Sequence, residues 1–121
     1  MQEKFNRVYT AGAFDSLHIG HIRLLKAAKQ YGNKLVVAVS TDELIFDYKK
    51  THPLQTLKDR VEIVSSIKFV DEVIIQTSRD YKLNDCLNNK CDCMVVGSDW
   101  KGTNFFNKLQ KEFESKGLKI I

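Results

Sequence analysis

The 121-residue sequence holds one proline, six glycines and one tryptophan, and its longest apolar run is the five residues Leu35 to Val39. So little proline and glycine excludes collagen-like and low-complexity chains. A membrane-spanning helix needs about twenty apolar residues in succession, so no segment reads as one. Cysteine is scarce and odd in number, with Cys86, Cys91 and Cys93. That suits a reducing compartment better than a disulfide framework, and without a second cysteine pair to complete a zinc site the thiols read as structural or surface groups. The N-terminal residues carry no charged cap followed by an apolar stretch, so no secretory signal is read and a cytoplasmic location is expected. Dense basic runs are missing too. The only adjacent basic pair is Lys49-Lys50, which argues against a nucleic-acid surface.

Composition points to one domain, residues 1–121, with 43% apolar and 28% charged residues. A chain this long buries roughly 65% of the surface it exposes when unfolded, so its core needs no metal or disulfide. The net charge is +4, and its source is local: residues 1–60 hold ten Lys+Arg against six Asp+Glu, while residues 61–121 hold nine of each. The excess cation lies in the half that also carries the chain's two close histidines, which fits a small phosphorylated ligand.

Periodicity predicts an alternation of strands and helices. Arg7 to Ala11 reads as a strand ending at Gly12, followed by a loop and a helix with Ile19, Ile22, Leu24, Leu25 and Ala28 on its core side and Gly32 as its C-cap. Lys34 to Ser40 is a strand of continuous apolarity, the pattern of a parallel sheet covered on both faces. Thr56 opens a helix through Ile67, Glu72 to Gln76 is a third strand, and a short helix near Tyr81 to Asn89 leads to a fourth at Cys93 to Gly97. A helix over Thr103 to Lys116 and a strand at Leu118 to Ile121 complete the order. The expected fold is α/β, a Rossmann-like, doubly wound, parallel five-stranded sheet with its ligand crevice at the carboxyl ends of the strands. Asp47 to Gln55 shows no period and reads as a loop with a function.

The chemistry concentrates in Thr10-Ala-Gly-Ala-Phe-Asp-Ser-Leu-His-Ile-Gly-His21. A strand that ends in a glycine turn and enters a helix aims free backbone N–H groups and the positive end of the helix dipole at a ligand above the sheet edge, a place that favours phosphate. His18 and His21, three apart across the helix start, can direct both imidazoles to one anion, and Gly20 between them permits close approach. A zinc site on the same pair lacks a third ligand at helical spacing.

Across nearly its whole length the sequence resembles the small cytidylyltransferases of the nucleotidyltransferase superfamily, most of all those acting on glycerol 3-phosphate. The family's G-T-F-D-x-x-H-x-G-H motif stands here as Gly12-Ala-Phe-Asp-Ser-Leu-His-Ile-Gly-His21. Leu35 to Glu43, Asp59-Arg60, Phe69 to Val73 and Val96-Gly-Ser-Asp-Trp100 are similar to further family segments in the same order. The resemblance implies transfer of a nucleotidyl group from CTP, accompanied by Mg2+, to a small alcohol phosphate, with release of pyrophosphate. It implies catalytic roles for His18, His21 and a loop lysine, Lys50 foremost and then Lys49. It implies nucleotide binding by Ala11, Gly12, Ala13, Phe14, Asp15, Gly20, Arg60, Gly97, Asp99 and Trp100, and a homodimer with no nucleic-acid or membrane partner.

The sequence departs from the family in three places. Ala13 replaces the usual threonine, a loss of one hydroxyl for which Thr10 or Ser16 are the substitutes to consider. Lys68 stands where close relatives have arginine, and the chain ends at Ile121 ahead of the family's Arg-Thr-x-Gly-Ile-Ser-Thr segment. Two other readings stay open: an adenylyltransferase of the same superfamily, forming FAD or an ADP-sugar, and a nucleotide-binding module without turnover.

Overall fold

Six consecutive buried residues, Leu35 to Ser40, form most of strand β2 (Gly32–Ser40) and set the layering of the molecule. A strand buried on both faces must be covered twice, and it is. The computed structural model describes residues 5–78, 82–96 and 104–120. Around β2 the chain runs β1 (Phe5–Gly12), α1 (Ile19–Gln30), then, after β2, α2 (Asp42–Lys49), α3 (Leu57–Ser65), β3 (Glu72–Gln76), α4 (Lys82–Asn88), β4 (Cys93–Met94), α5 (Asn104–Ser115) and β5 (Lys119–Ile120).

The five strands form one parallel sheet in the order β3-β2-β1-β4-β5. Alternate residues along β1 and β2 face opposite layers. Val8, Leu35, Val37 and Val39 pack with Leu25 and Ala28 of α1 and Val64 of α3, while Tyr9, Val36 and Ala38 pack with Cys86 of α4 and Leu109 and Phe113 of α5. All three cysteines are buried and none is in a disulfide, two lying in the second layer and Cys93 in the first, so they serve as small side chains of the core. The register sets Gly12 beside Val39, which brings the end of β1 level with Ser40 and the start of α2. No helix among the described residues is long and apolar enough to cross a membrane.

The structure corrects the sequence reading at three points. The stretch from Asp47 is not all loop, because α2 reaches Lys49; Thr41 caps it, its hydroxyl accepting the Leu44 N–H at 3.1 Å, with Asp42 and Glu43 in the first turn where they complement the helix dipole. Gly32 is not a helix cap. Tyr31 ends α1 in a right-handed conformation, and Gly32 begins β2 where a Cβ would lie 2.5 Å from Val8 Cγ2 and 2.9 Å from the Phe5 carbonyl oxygen. Ile19, expected in the core, is 61% exposed because it is the first residue of α1, ahead of the turn that meets the sheet.

Candidate active site

The turn between β1 and α1 is built from strained backbone held by distant partners. Phe14 and Ser16 both have left-handed backbones, with φ of 51° and 52°. For residues with a Cβ this costs roughly 1–2 kcal/mol each. At Phe14 the offset is packing: its ring folds back over Gly12, where a Cβ would meet Phe14 Cε2 at 3.2 Å, and joins the α1–α3 core. Ser16 is fixed through its N–H, which donates to Gln55 Oε1 at 3.0 Å. Between them the Asp15 carboxylate accepts the Leu54 N–H at 2.8 Å and the Gln55 N–H at 2.9 Å. Asp15 therefore staples the segment after α2 to the turn.

His18 and His21 form a reciprocal cap on α1. His18 is the N-cap residue with an extended backbone, and its Nδ1 accepts the Gly20 N–H at 3.0 Å; His21 Nδ1 accepts the His18 N–H at 3.1 Å. An imidazole nitrogen that accepts carries no proton, so the hydrogen-bond network assigns both rings the Nε2–H tautomer. Each ring keeps one donor directed away from the backbone. The rings lie 4.1 Å apart, centroid to centroid. Burial, then the neighbouring His18 and then Lys49 hold the His21 pKa below its ordinary value, which keeps it neutral at pH 7. Gly20 is required by the His18 ring: a Cβ there would lie 2.7 Å from His18 Cε1.

A cleft of about 180 Å³ opens beside His21, walled by Ala11 to Asp15, by Leu24 and by Lys49. Of the two lysines it is Lys49 that reaches the cleft. Lys50 is the exposed C-cap of α2, with φ of 59° and its N–H on the Phe46 carbonyl at 2.8 Å. Thr10 is buried, and its hydroxyl donates to the Val95 carbonyl at 2.8 Å, so it does not stand in for the threonine missing at Ala13. Ser16 is exposed. His52 stacks on Phe46 with centroids 4.6 Å apart. Gly97, Asp99 and Trp100 lie outside the described residues.

Arg60 does not face the cleft. Its side chain is fully buried, with Nε donating to Gln55 O at 3.1 Å, Nη1 to Ala13 O at 2.8 Å and Ser40 O at 2.7 Å, and Nη2 to Asp42 Oδ1 at 2.5 Å. Its ion pair is with Asp42 rather than with Asp59 or Glu62 on its own helix. Ser40, Asp42 and Gln55, unmarked as site residues by the sequence reading, hold the turn from below. The local hint was Thr41-Asp42-Glu43, a helix-start signature directly after a buried strand.

A parallel doubly wound sheet with a strained strand-to-helix turn, a cleft lined by His21 and Lys49, and the exposed His18 ring beside His21 but outside that lining defines an α/β domain suited to a phosphorylated nucleotide. The cytidylyltransferase-like family model matches residues 9–121, and the chain belongs to that family. It is 42% identical over 106 residues to a glycerol-3-phosphate cytidylyltransferase of Bacillus subtilis, covering 88% of this chain and 81% of that one. It is 38% identical over 122 residues to an FAD synthase of Thermococcus kodakarensis, covering 98% and 79%. Among solved structures, a lipopolysaccharide core biosynthesis protein from Thermoplasma volcanium superposes with a TM-score of 0.81 at 29% identity, over 96% of this chain and 92% of that one.

Proposed function

We propose that this nucleotidyltransferase joins CTP to glycerol 3-phosphate, giving CDP-glycerol and pyrophosphate. The observation that carries the transfer chemistry is the reciprocal cap, which leaves two neutral imidazoles each presenting an Nε2–H at the start of α1. In the reaction an ionised phosphate oxygen of the acceptor attacks the α-phosphorus, a P–O bond forms, and the bond from the α-phosphorus to the β-phosphate bridging oxygen breaks. No proton has to move. The barrier lies in bringing two anions together and in the charge that grows on the departing pyrophosphate, so fixed donors and cations are what the step requires.

In this reading His18 and His21 donate to the triphosphate, the N-terminus of α1 adds its dipole, and Lys49 neutralises charge from across the cleft. Each such donor contributes a factor of about 10² to 10³ in rate. Among the described residues no three His, Cys, Asp or Glu side chains gather into a metal cage. In this reading magnesium enters as part of the substrate, bound mainly by phosphate oxygens, as this ion commonly is with nucleotides. Gly97, Asp99 and Trp100 complete the nucleotide site in this reading, and a homodimer is part of it, measurable by sedimentation at assay concentration.

The choice of CTP and glycerol 3-phosphate is supported by the 42% identity to the Bacillus subtilis enzyme. A second reading, adenylyl transfer with FMN as acceptor, is favoured by the 38% identity to an FAD synthase. Pyrophosphate release in a matrix of CTP or ATP against glycerol 3-phosphate, other polyol phosphates and FMN separates them. Release that needs CTP and glycerol 3-phosphate together supports the first. Release only with ATP and FMN replaces it with the second, and nucleotide binding without release with any acceptor makes the chain a binding module.

A further inference from the structure

Two groups of the proposed site come from segments distant in sequence: the histidines from the start of α1 and Lys49 from the end of α2. Something must set their separation. Helix α2 begins with Asp42 and ends with Lys49, about 10 Å along a rigid axis. At its first residue, Asp42 receives Nη2 of the buried Arg60, whose Nη1 holds the Ala13 carbonyl of the phosphate turn and the Ser40 carbonyl at the end of β2. Beyond Lys49 the chain returns to the same turn, where Leu54 and Gln55 donate to Asp15 and the Gln55 side chain accepts the Ser16 N–H. Arg60 Nε then closes the loop on the Gln55 carbonyl. The lysine is thus suspended between two anchor points that share one guanidinium.

We infer that Arg60 is a positioning residue: through Asp42, Ala13, Ser40 and Gln55 it fixes helix α2, and with it Lys49, relative to the turn that carries His18 and His21. This inference rests on the transferase reading for its purpose but not for its test. Lysine cannot replace Arg60, because a single ammonium has no planar fork to reach a carboxylate and three carbonyls in different directions. The role differs from binding phosphate directly, since the buried guanidinium presents nothing to the cleft.

The test is an NMR titration of the His21 ring in the full chain. The groups whose charge acts on that ring are Lys49, the titratable His18 ring beside it, and Asp15 in the same cleft wall. Lys49→Met removes a cation, so the His21 midpoint rises. Asp42→Ala removes one arm of the clamp and leaves the three carbonyl bonds of Arg60, and a melting curve establishes that the variant is folded before it is titrated, with Asp42→Asn as the milder variant. Deleting a carboxylate would by itself lower a histidine midpoint. A rise in Asp42→Ala therefore reads the withdrawal of Lys49. The expected result is that rise, its absence when Asp42→Ala is added to Lys49→Met, and its reversal in Asp42→Asn, which keeps an oxygen for Nη2. Turnover of Asp42→Ala is expected to fall about tenfold in kcat with KM little changed, since small misplacements of reacting groups cost rate. A His21 midpoint that is unchanged or lowered in folded Asp42→Ala, or an equal shift in both backgrounds, overturns the inference. If the titrations behave as expected while no nucleotide and acceptor pair releases pyrophosphate, the clamp stands and the transferase reading falls.

Discussion

His18 and His21 cap one helix by accepting from each other's segment of backbone, His18 Nδ1 from Gly20 N–H and His21 Nδ1 from His18 N–H. The same two bonds that end the helix also choose the tautomer of each ring. Under the proposed function, capping and catalysis are therefore one arrangement, and a change that disturbs the cap is expected to disturb turnover.

Gly20→Ala tests that dependence without touching a functional side chain. The added Cβ would stand 2.7 Å from His18 Cε1, so the ring must leave its place over the helix start. Turnover is expected to fall roughly 10- to 100-fold, the cost of misplacing a positioned donor. Steady-state kinetics alongside a melting curve checks it: a Tm within a few degrees of wild type with full activity would show that the ring position is immaterial.

The two lysines separate cleanly. Lys49 lines the cleft, whereas Lys50 is an exposed left-handed helix cap. Lys49→Met should lower kcat/KM at least about tenfold, and Lys50→Gly, which suits a left-handed backbone, should leave it within about threefold. Initial-rate measurements on both variants decide which lysine belongs to the site.

Acid should weaken the fold through His21. Its pKa in the folded protein lies below the unfolded value near 6.5, so the unfolded chain binds the extra proton first. The stability from this group is fully present above that value and is lost as pH falls through 6.5 toward the lower folded pKa. Protonation also places a hydrogen on Nδ1, which then no longer accepts the His18 N–H. Melting temperatures measured from pH 7.5 to 5 should therefore decline less steeply in His21→Gln than in wild type.

Much of this was legible locally. The continuous apolar run Leu35 to Val39 announced a strand covered on both faces, and the Gly12 to His21 motif located the strand-to-helix turn that lines the cleft. What stayed hidden depends on residues distant in sequence. An arginine in the first turn of α3 reads as exposed, and nothing near Arg60 in sequence shows that the carbonyls of Ala13 and Ser40 converge on it. Helix α2 was obscured because its eight residues span barely two turns, too few for periodicity to outweigh the loop that follows.

Asp15 illustrates the same long-range logic and can be tested for stability. Its two oxygens hold the N–H groups of Leu54 and Gln55, and Asp15→Ala leaves both donors without those acceptors. The expected loss is about 1–3 kcal/mol, the usual range for charge-assisted hydrogen bonds. Denaturant titration measures it, and an unchanged midpoint would show that the segment holds without the staple.

Donation by the paired histidines to the triphosphate is measured by pyrophosphate release from magnesium-bound CTP and glycerol 3-phosphate, compared between the wild-type chain and His21→Ala. The expected loss is about a hundredfold or more, the scale set by removing one fixed donor, with the melting temperature within a few degrees of wild type. Equal turnover in the two proteins would contradict it and remove the histidines from the chemistry.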